Sequence, residues 1–367
     1  MNNMIESIKT DLSNNNVIIK DKTTILLETY NSLLKDLRNV KQGQHILDKE
    51  EPFLNEEQRF TLFPIIHEDI WEMHKKQEAA FWTAGEIDFS EDYKHWETLS
   101  DDYKWFIKHI LAFFAGSDGI VNLNIMKNFS QDVPVFEAQV FYQFQSAIEN
   151  IHSEVYSLMI ESYIKDMNEK DQLFNAIKYI PCIQNKMKWA ITWLKEDCMF
   201  ARRIVAFAIV EGLFFSGSFC AIFWLKKQNI LPGLTLSNTF IARDEGMHCN
   251  FACLLYSKLV NKLSEKEIHY MVQDAVEIER QFIIESLPCK LIGMNSDLMY
   301  QYITYVADRL VQMLGYNKIY NSTNPFEFME GISIDSKENF FETRTTSYSK
   351  SSVINQGIQA LTFTDDF

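Results

Sequence analysis

Two segments of this chain repeat one small chemical arrangement, Glu149-Asn-Ile-His152 and Glu245-Gly-Met-His248. A spacing of three residues puts carboxylate and imidazole on one face of an α-helix, so each pair is able to chelate a metal ion. Taken alone the motif is weak. With 50 acids and eight histidines in 367 residues, about one acid-x-x-His arises by chance, and Asp92-x-x-His95, in a polar stretch, is read as that one. The two glutamate pairs differ because apolar residues surround them, where an uncompensated charge is costly and a metal would compensate it.

Two further acids stand in equally apolar company, Asp118 in LAFFAGSDGIV and Glu211 in FAIVEGLFF. Isolated carboxylates there need partners. The set Asp118, Glu149, His152, Glu211, Glu245 and His248 gives one acid, or one acid and one histidine, to each of four long helical segments. That is the ligand pattern of di-iron carboxylate sites in ferritin-like bundles. The bland alternative, separate salt-bridged core acids and structural histidines, needs four independent coincidences. Carboxylate-rich donors with one imidazole per ion suit iron or manganese, whereas zinc favours more nitrogen and sulfur and calcium does not favour imidazole.

Tyr156 follows His152 by four residues and Glu149 by seven, which sets its ring on the ligand face one turn away. Beside a di-iron site a phenol there is placed for one-electron oxidation. Without the site it would be an ordinary core tyrosine with a satisfied hydroxyl.

Long helices must position these residues. Gly and Pro number only 12 and 7, which disfavours a β-fold with frequent turns and predicts an all-α chain. Helical periodicity runs over 65–82, from the acids after Ser100 through the Asp118 segment, and from Pro134 through residue 164. Shorter helices are predicted at 171–179 and 184–195. Longer ones follow at 204–225 and 236–263, then one opened by a Ser264–Glu267 capping box and stopped by Pro288, and a last one at 296–314 with Gly315 as its cap. The domain reading is an N-terminal arm over 1–50, a helical bundle over 51–320 and a C-terminal segment over 321–367 that ends in a solvated tail.

Residues 204–225 have the length and basic flanks of a membrane span. Glu211 near the middle would be costly in lipid, so a helix buried all round within a bundle is the preferred reading. A net charge of −15 argues against binding the phosphate backbone of nucleic acids. The first residues lack the apolar segment of a secretory signal, so a cytoplasmic location is expected. The six cysteines form no CxxC pair and read as buried free thiols; Cys249 and Cys253, one turn apart, are read as core rather than as a soft-metal site.

The stretches DIWEMHKKQEAAFWTAGEIDFS, LAFFAGSDGIVN, ENIHSEVYSLMI, VAFAIVEGLFFSGSFCAIFWLKK, ARDEGMHCNFACLL and LIGMNSDLMYQYITYVADRL resemble, in order, the blocks of the small subunit of class I ribonucleotide reductase, in its eukaryotic and viral branch. The resemblance runs from about Glu51 to the C-terminus. It implies two metal ions per chain, with iron favoured over manganese, and dioxygen for activation. Asp118, Glu149 and His152 would hold one ion and Glu211, Glu245 and His248 the other, with Glu149 and Glu245 bridging.

Tyr156 then matches the stable tyrosyl radical, and Phe215, Phe219 and Ile241 the apolar pocket around it. Trp82 and its partner Asp244 match an electron relay, and Tyr348 the last relay before the large subunit. The resemblance further implies a homodimer. The terminal LTFTDDF is similar to the tail that docks on the large subunit, but Phe363 and Thr364 depart from the animal form, which suggests a co-varying partner. The implied activity is reduction of ribonucleoside diphosphates to deoxyribonucleoside diphosphates, carried out with the large subunit. The other readings are a stand-alone ferritin-like di-iron oxidase or hydroxylase, and a non-catalytic paralogue of the small subunit.

Overall fold

The computed structural model describes residues 47–194, 198–286, 294 and 296–332, and among these only helices and turns occur. Residues 1–46 of the expected arm, the tail with Tyr348 and LTFTDDF, and Pro288 lie outside the described residues, while residues 47–50 of the arm are helical.

Helices α1 (Glu68–Ala79) and α2 (Ser90–Thr98) lead into α3 (Asp101–Asn124) and α4 (Phe136–Tyr163), the pair that carries Asp118, Glu149 and His152. The shorter α5 (Met167–Phe174) and α6 (Pro181–Trp193) cross to α7 (Phe200–Ile209) and α8 (Ser216–Lys227). Then come α9 (Pro232–Lys258), which carries Glu245 and His248, α10 (Glu265–Ser286) and α11 (Ser296–Met313). In space α4 lies between α1 and α3, α9 packs on α7 and α8, and α10 packs on α6 and α11. The core runs continuously through all of these, so ligand-bearing helices from distant parts of the chain face one another.

Several ends follow from local chemistry. Ser264 and Glu267 form the expected reciprocal capping box. Gly315, at φ +91°, closes α11 as expected, with the amides of Gly315 and Tyr316 returning to Gln312 and Val311. Helix α9 starts at Pro232, earlier than periodicity suggests, because proline suits a first turn. It stops at Lys258, where the buried Glu51 carboxylate takes the amides of Val260 and Asn261.

Three expectations need correction. The 65–82 helix covers only Glu68–Ala79; the Ala80 carbonyl accepts from Arg243 at 2.6 Å and Trp82 bonds to Asp244, so tertiary hydrogen bonds override the apolar periodicity. The 171–179 helix is instead α5 and a separate turn at Ala176–Tyr179.

The 204–225 helix is the third, being interrupted by a π-turn at Val210–Phe214. Within Phe200–Lys227 the most apolar window is 94% buried inside the protein, which accounts for its composition. Asp101–Asp132 also has the length and hydropathy of a membrane span.

Candidate metal centre

Glu149 and His152 share a face of α4, as do Glu245 and His248 on α9, and all four side chains are buried. Asp118 reaches the cluster from α3 and Glu211 from the π-turn. A π-turn inserts one extra residue into the helical repeat and re-aims the side chains it contains, which is why such turns recur at functional sites. Gly212, next in sequence, lets this turn lie against α9: a Cβ there would stand 2.7 Å from the Cys249 sulfur.

Donor atoms of Asp118, Glu149 and His152 lie within 4.8 Å of one another, and so do those of Glu149, Glu211, Glu245 and His248. Glu149 belongs to both groups. Glu245 spans them as well, with Oε1 3.1 Å from His152 Nδ1 and Oε2 3.1 Å from His248 Nδ1. His248 Nδ1 is also 3.0 Å from Glu149 Oε1. All six residues expected from the sequence therefore meet in one place.

Several of these atoms are buried without an aligned hydrogen bond: Asp118 Oδ2, His152 Nδ1, both Glu211 oxygens, Glu245 Oε1 and His248 Nε2. Such groups are costly to bury. Two metal ions would use these donors, and four carboxylates with two imidazoles suit hard or borderline cations. The donor set therefore fits a di-metal site.

The electrostatics agree. Burial, reinforced by Glu149 and Glu245, raises Asp118 well above the usual carboxylate range, and burial with Glu245 does the same to Glu211. Burial would also raise Glu245, but the neighbouring Glu211, His152 and His248 hold it low. Burial opposes the charge on the histidines, yet Asp244, Glu149 and Glu245 raise His152, and Glu149 and Glu245 raise His248 to about 9.

Trp82 Nε1 donates to Asp244 Oδ2 at 2.7 Å, and the same oxygen lies 3.3 Å from His152 Nε2. The Trp82 and His152 rings stack at 6.0 Å. Arg243 holds the other Asp244 oxygen at 2.9 Å. Burial would raise Asp244, but Arg243, His152 and Trp82 keep it below the usual range.

Tyr156 is buried, 4.8 Å from the Phe114 ring, and Phe114 packs on Phe215 and Phe219 at 5.5 and 5.4 Å. Ile241 is fully buried. Burial, then Asp118, pushes the Tyr156 hydroxyl well above its ordinary value of 10.

Sequence reading passed over Phe114, Gln145 and Arg243. Two had a helical signal: Phe114 precedes Asp118 by four residues, and Gln145, whose Nε2 donates to Glu149 Oε1 at 3.3 Å, precedes Glu149 by four. Asp92 was misread as lying in polar surroundings. It is fully buried, takes the Tyr163 hydroxyl at 2.6 Å and the Gly233 and Leu234 amides at 2.7 Å, and so caps the first turn of α9. His95 accepts the Leu231 amide at 3.1 Å. The pair is structural, with Asp92 buried and His95 half-buried. Cys182, Cys220, Cys249 and Cys253 are buried free thiols, while Cys198 is half-buried.

The pattern of the family "Ribonucleotide reductase, small chain" matches residues 59–325. The chain belongs to this family. It is 58% identical over 307 residues to the ribonucleoside-diphosphate reductase small chain of Nicotiana tabacum, covering 83% of this chain and 93% of that one. It is 50% identical over 370 residues to subunit M2 of the Danio rerio reductase, covering 98% and 96%. The fold matches the ribonucleotide reductase Rnr4 homodimer of Saccharomyces cerevisiae with a TM-score of 0.74 at 38% identity, over 87% of this chain and 99% of that one. For a ribonucleotide reductase small chain, a buried carboxylate and histidine cluster able to bind two metals is the expected core.

Proposed function

We propose that this chain is the radical-generating small subunit of a ribonucleoside-diphosphate reductase, with iron held by Asp118, Glu149, His152, Glu211, Glu245 and His248 and the radical stored on Tyr156. The observation that supports this most is the convergence of six buried donors on the helix face that carries an enclosed tyrosine. Family membership supplies the reaction class: reduction of ribonucleoside diphosphates together with a large subunit.

When bound, the two ions supply the oxidising power that dioxygen brings. The chain does the rest. Glu149 and Glu245 lie between the two donor groups and hold them together, and Asp244 fixes the outward nitrogen of His152. With the ions bound, Tyr156 would be the one-electron donor to the site, and burial, then Asp118, keeps its phenol protonated beforehand. The rings of Phe114, Phe215 and Phe219 exclude water and reductants, so the radical lasts.

The buried Trp82, through Asp244 and His152, would give electrons a route to the cluster. Tyr348 would complete the relay and LTFTDDF would dock the large subunit. The chain would act as a homodimer in the cytoplasm.

The test is an electron paramagnetic resonance spectrum of the apoprotein after ferrous iron and dioxygen, with Tyr156→Phe beside it. A tyrosyl signal in the wild type alone is expected, and metal uptake with no radical in either would sink the reading. Tyr348→Phe should keep the radical and lose turnover with the large subunit.

A further inference from the structure

Lys186, on α6, and Glu279, on α10, form an ion pair of 2.6 Å in which neither side chain has any exposed surface. The ammonium also sits over the Phe113 and Phe282 rings, 3.6 and 4.0 Å from their centroids. Removing two charges from water costs so much that a buried pair rarely stabilises a fold better than apolar residues of the same size. Burial pushes Lys186 down to about 8 and Glu279 up, against the pull of each on the other. What the pair offers that an apolar pair would not is hydrogen bonding to the backbone.

Lys186 Nζ donates to the Phe214 carbonyl at 2.5 Å. Phe214 is the last residue of the π-turn that carries Glu211. A shift from the α to the π register leaves carbonyls at the junction without their regular helical partners. Leu213 O is taken by the Ser216 hydroxyl at 2.6 Å, and Phe214 O by Lys186. Beyond the junction, Glu279 Oε1 stands where a Cβ on Gly217 would come within 2.7 Å of it, so the carboxylate lies against the start of α8. The pair thus grips a carbonyl at the end of the π-turn through Lys186 and packs its carboxylate against Gly217 just beyond the junction.

We propose that Lys186 and Glu279 are positioning residues that hold Val210–Phe214 in the π register, and so set where Glu211 stands in the metal cluster and where Phe215 stands against the tyrosine pocket. The inference rests on the cluster being a di-metal site. If the turn relaxed by one residue, Glu211 would rotate by about 100° around the helix axis and leave the cluster. Clamping the turn from behind keeps the ligand in place before any ion arrives.

The test compares the wild type with Lys186→Met/Glu279→Leu, in which no buried charge is left alone. Apoprotein is titrated with Mn²⁺ and followed by electron paramagnetic resonance, since one ion gives a six-line signal that collapses when a coupled second ion binds. The variant should take its first ion normally and bind the second about tenfold more weakly or worse, so that the six-line signal persists at two equivalents. Equal titrations with only a lower melting temperature would overturn the clamp. A wild type that binds no pair would overturn the metal reading, and the clamp with it. Hydrogen exchange on the wild-type apoprotein tests the idea even if the variant does not fold: residues 210–217 should be protected without metal, and protection that appears only on loading would refute pre-positioning.

Discussion

Trp82 and Asp244, 162 residues apart in sequence, are joined by a 2.7 Å hydrogen bond from the indole nitrogen to Oδ2, and that oxygen also faces His152 Nε2. One carboxylate therefore serves both the proposed relay and the orientation of a metal-ligating ring. Asp244→Ala should weaken metal holding about 10–100-fold, measured by competition with a chelator. Trp82→Phe should leave metal affinity unchanged and impair turnover with the large subunit. Loss of metal in the Trp82 variant would show that the indole acts on the site rather than on the relay.

The aromatic wall around Tyr156 is the second target. Phe215 is buried against Phe113, Phe114 and Phe219, so Phe215→Ala should cost about 3–5 kcal/mol of stability through the cavity it leaves. The tyrosyl signal should form and then decay faster than in the wild type. An unchanged lifetime would mean that another barrier keeps reductants away from the phenol.

The metal centre was legible because its chemistry is local: each Glu-x-x-His pair declares itself within one helical turn, and Asp118 and Glu211 stand out as charges in apolar sequence. What stayed hidden comes from contacts between distant segments. Nothing near Lys186 announces a fully buried ammonium, because Glu279 lies on a different helix and Phe214 acts through its backbone. Asp92 looked ordinary among polar neighbours, since its partners Tyr163, Gly233 and Leu234 arrive from elsewhere. The π-turn had no sequence signature that periodicity could read, as one extra residue in a helix buried all round leaves no solvent-facing stripe to shift.

Metal binding should be coupled to protons. His248 is raised to about 9, and burial among other carboxylates raises Asp118 and Glu211 well above the usual carboxylate range, so all three hold protons more tightly than in water. Ligation requires those protons to leave. Affinity should therefore rise with pH across the neutral range, and adding metal to weakly buffered apoprotein should acidify the solution. A pH-independent affinity would mean that the donors are already deprotonated.

Acid should first loosen a different region. Glu137 is buried at the start of α4, where it accepts from Arg59 and from the Ile66 amide at 2.6 and 2.8 Å, tying the 59–67 segment to the bundle. Burial alone would raise its pKa, but Arg59 and the Ile66 and His67 amides outweigh that and hold it below 4.5. Because the folded value is depressed, the unfolded chain binds the extra proton first as pH falls below 4.5. The contribution is thus complete above that pH and is lost as pH drops through the lower folded value. Glu137→Gln should flatten the acid limb of the stability curve, and in the wild type the Ile66 amide should lose exchange protection there before the α9 core does. Simultaneous loss at both places would show that the 59–67 segment is secured by something other than this carboxylate.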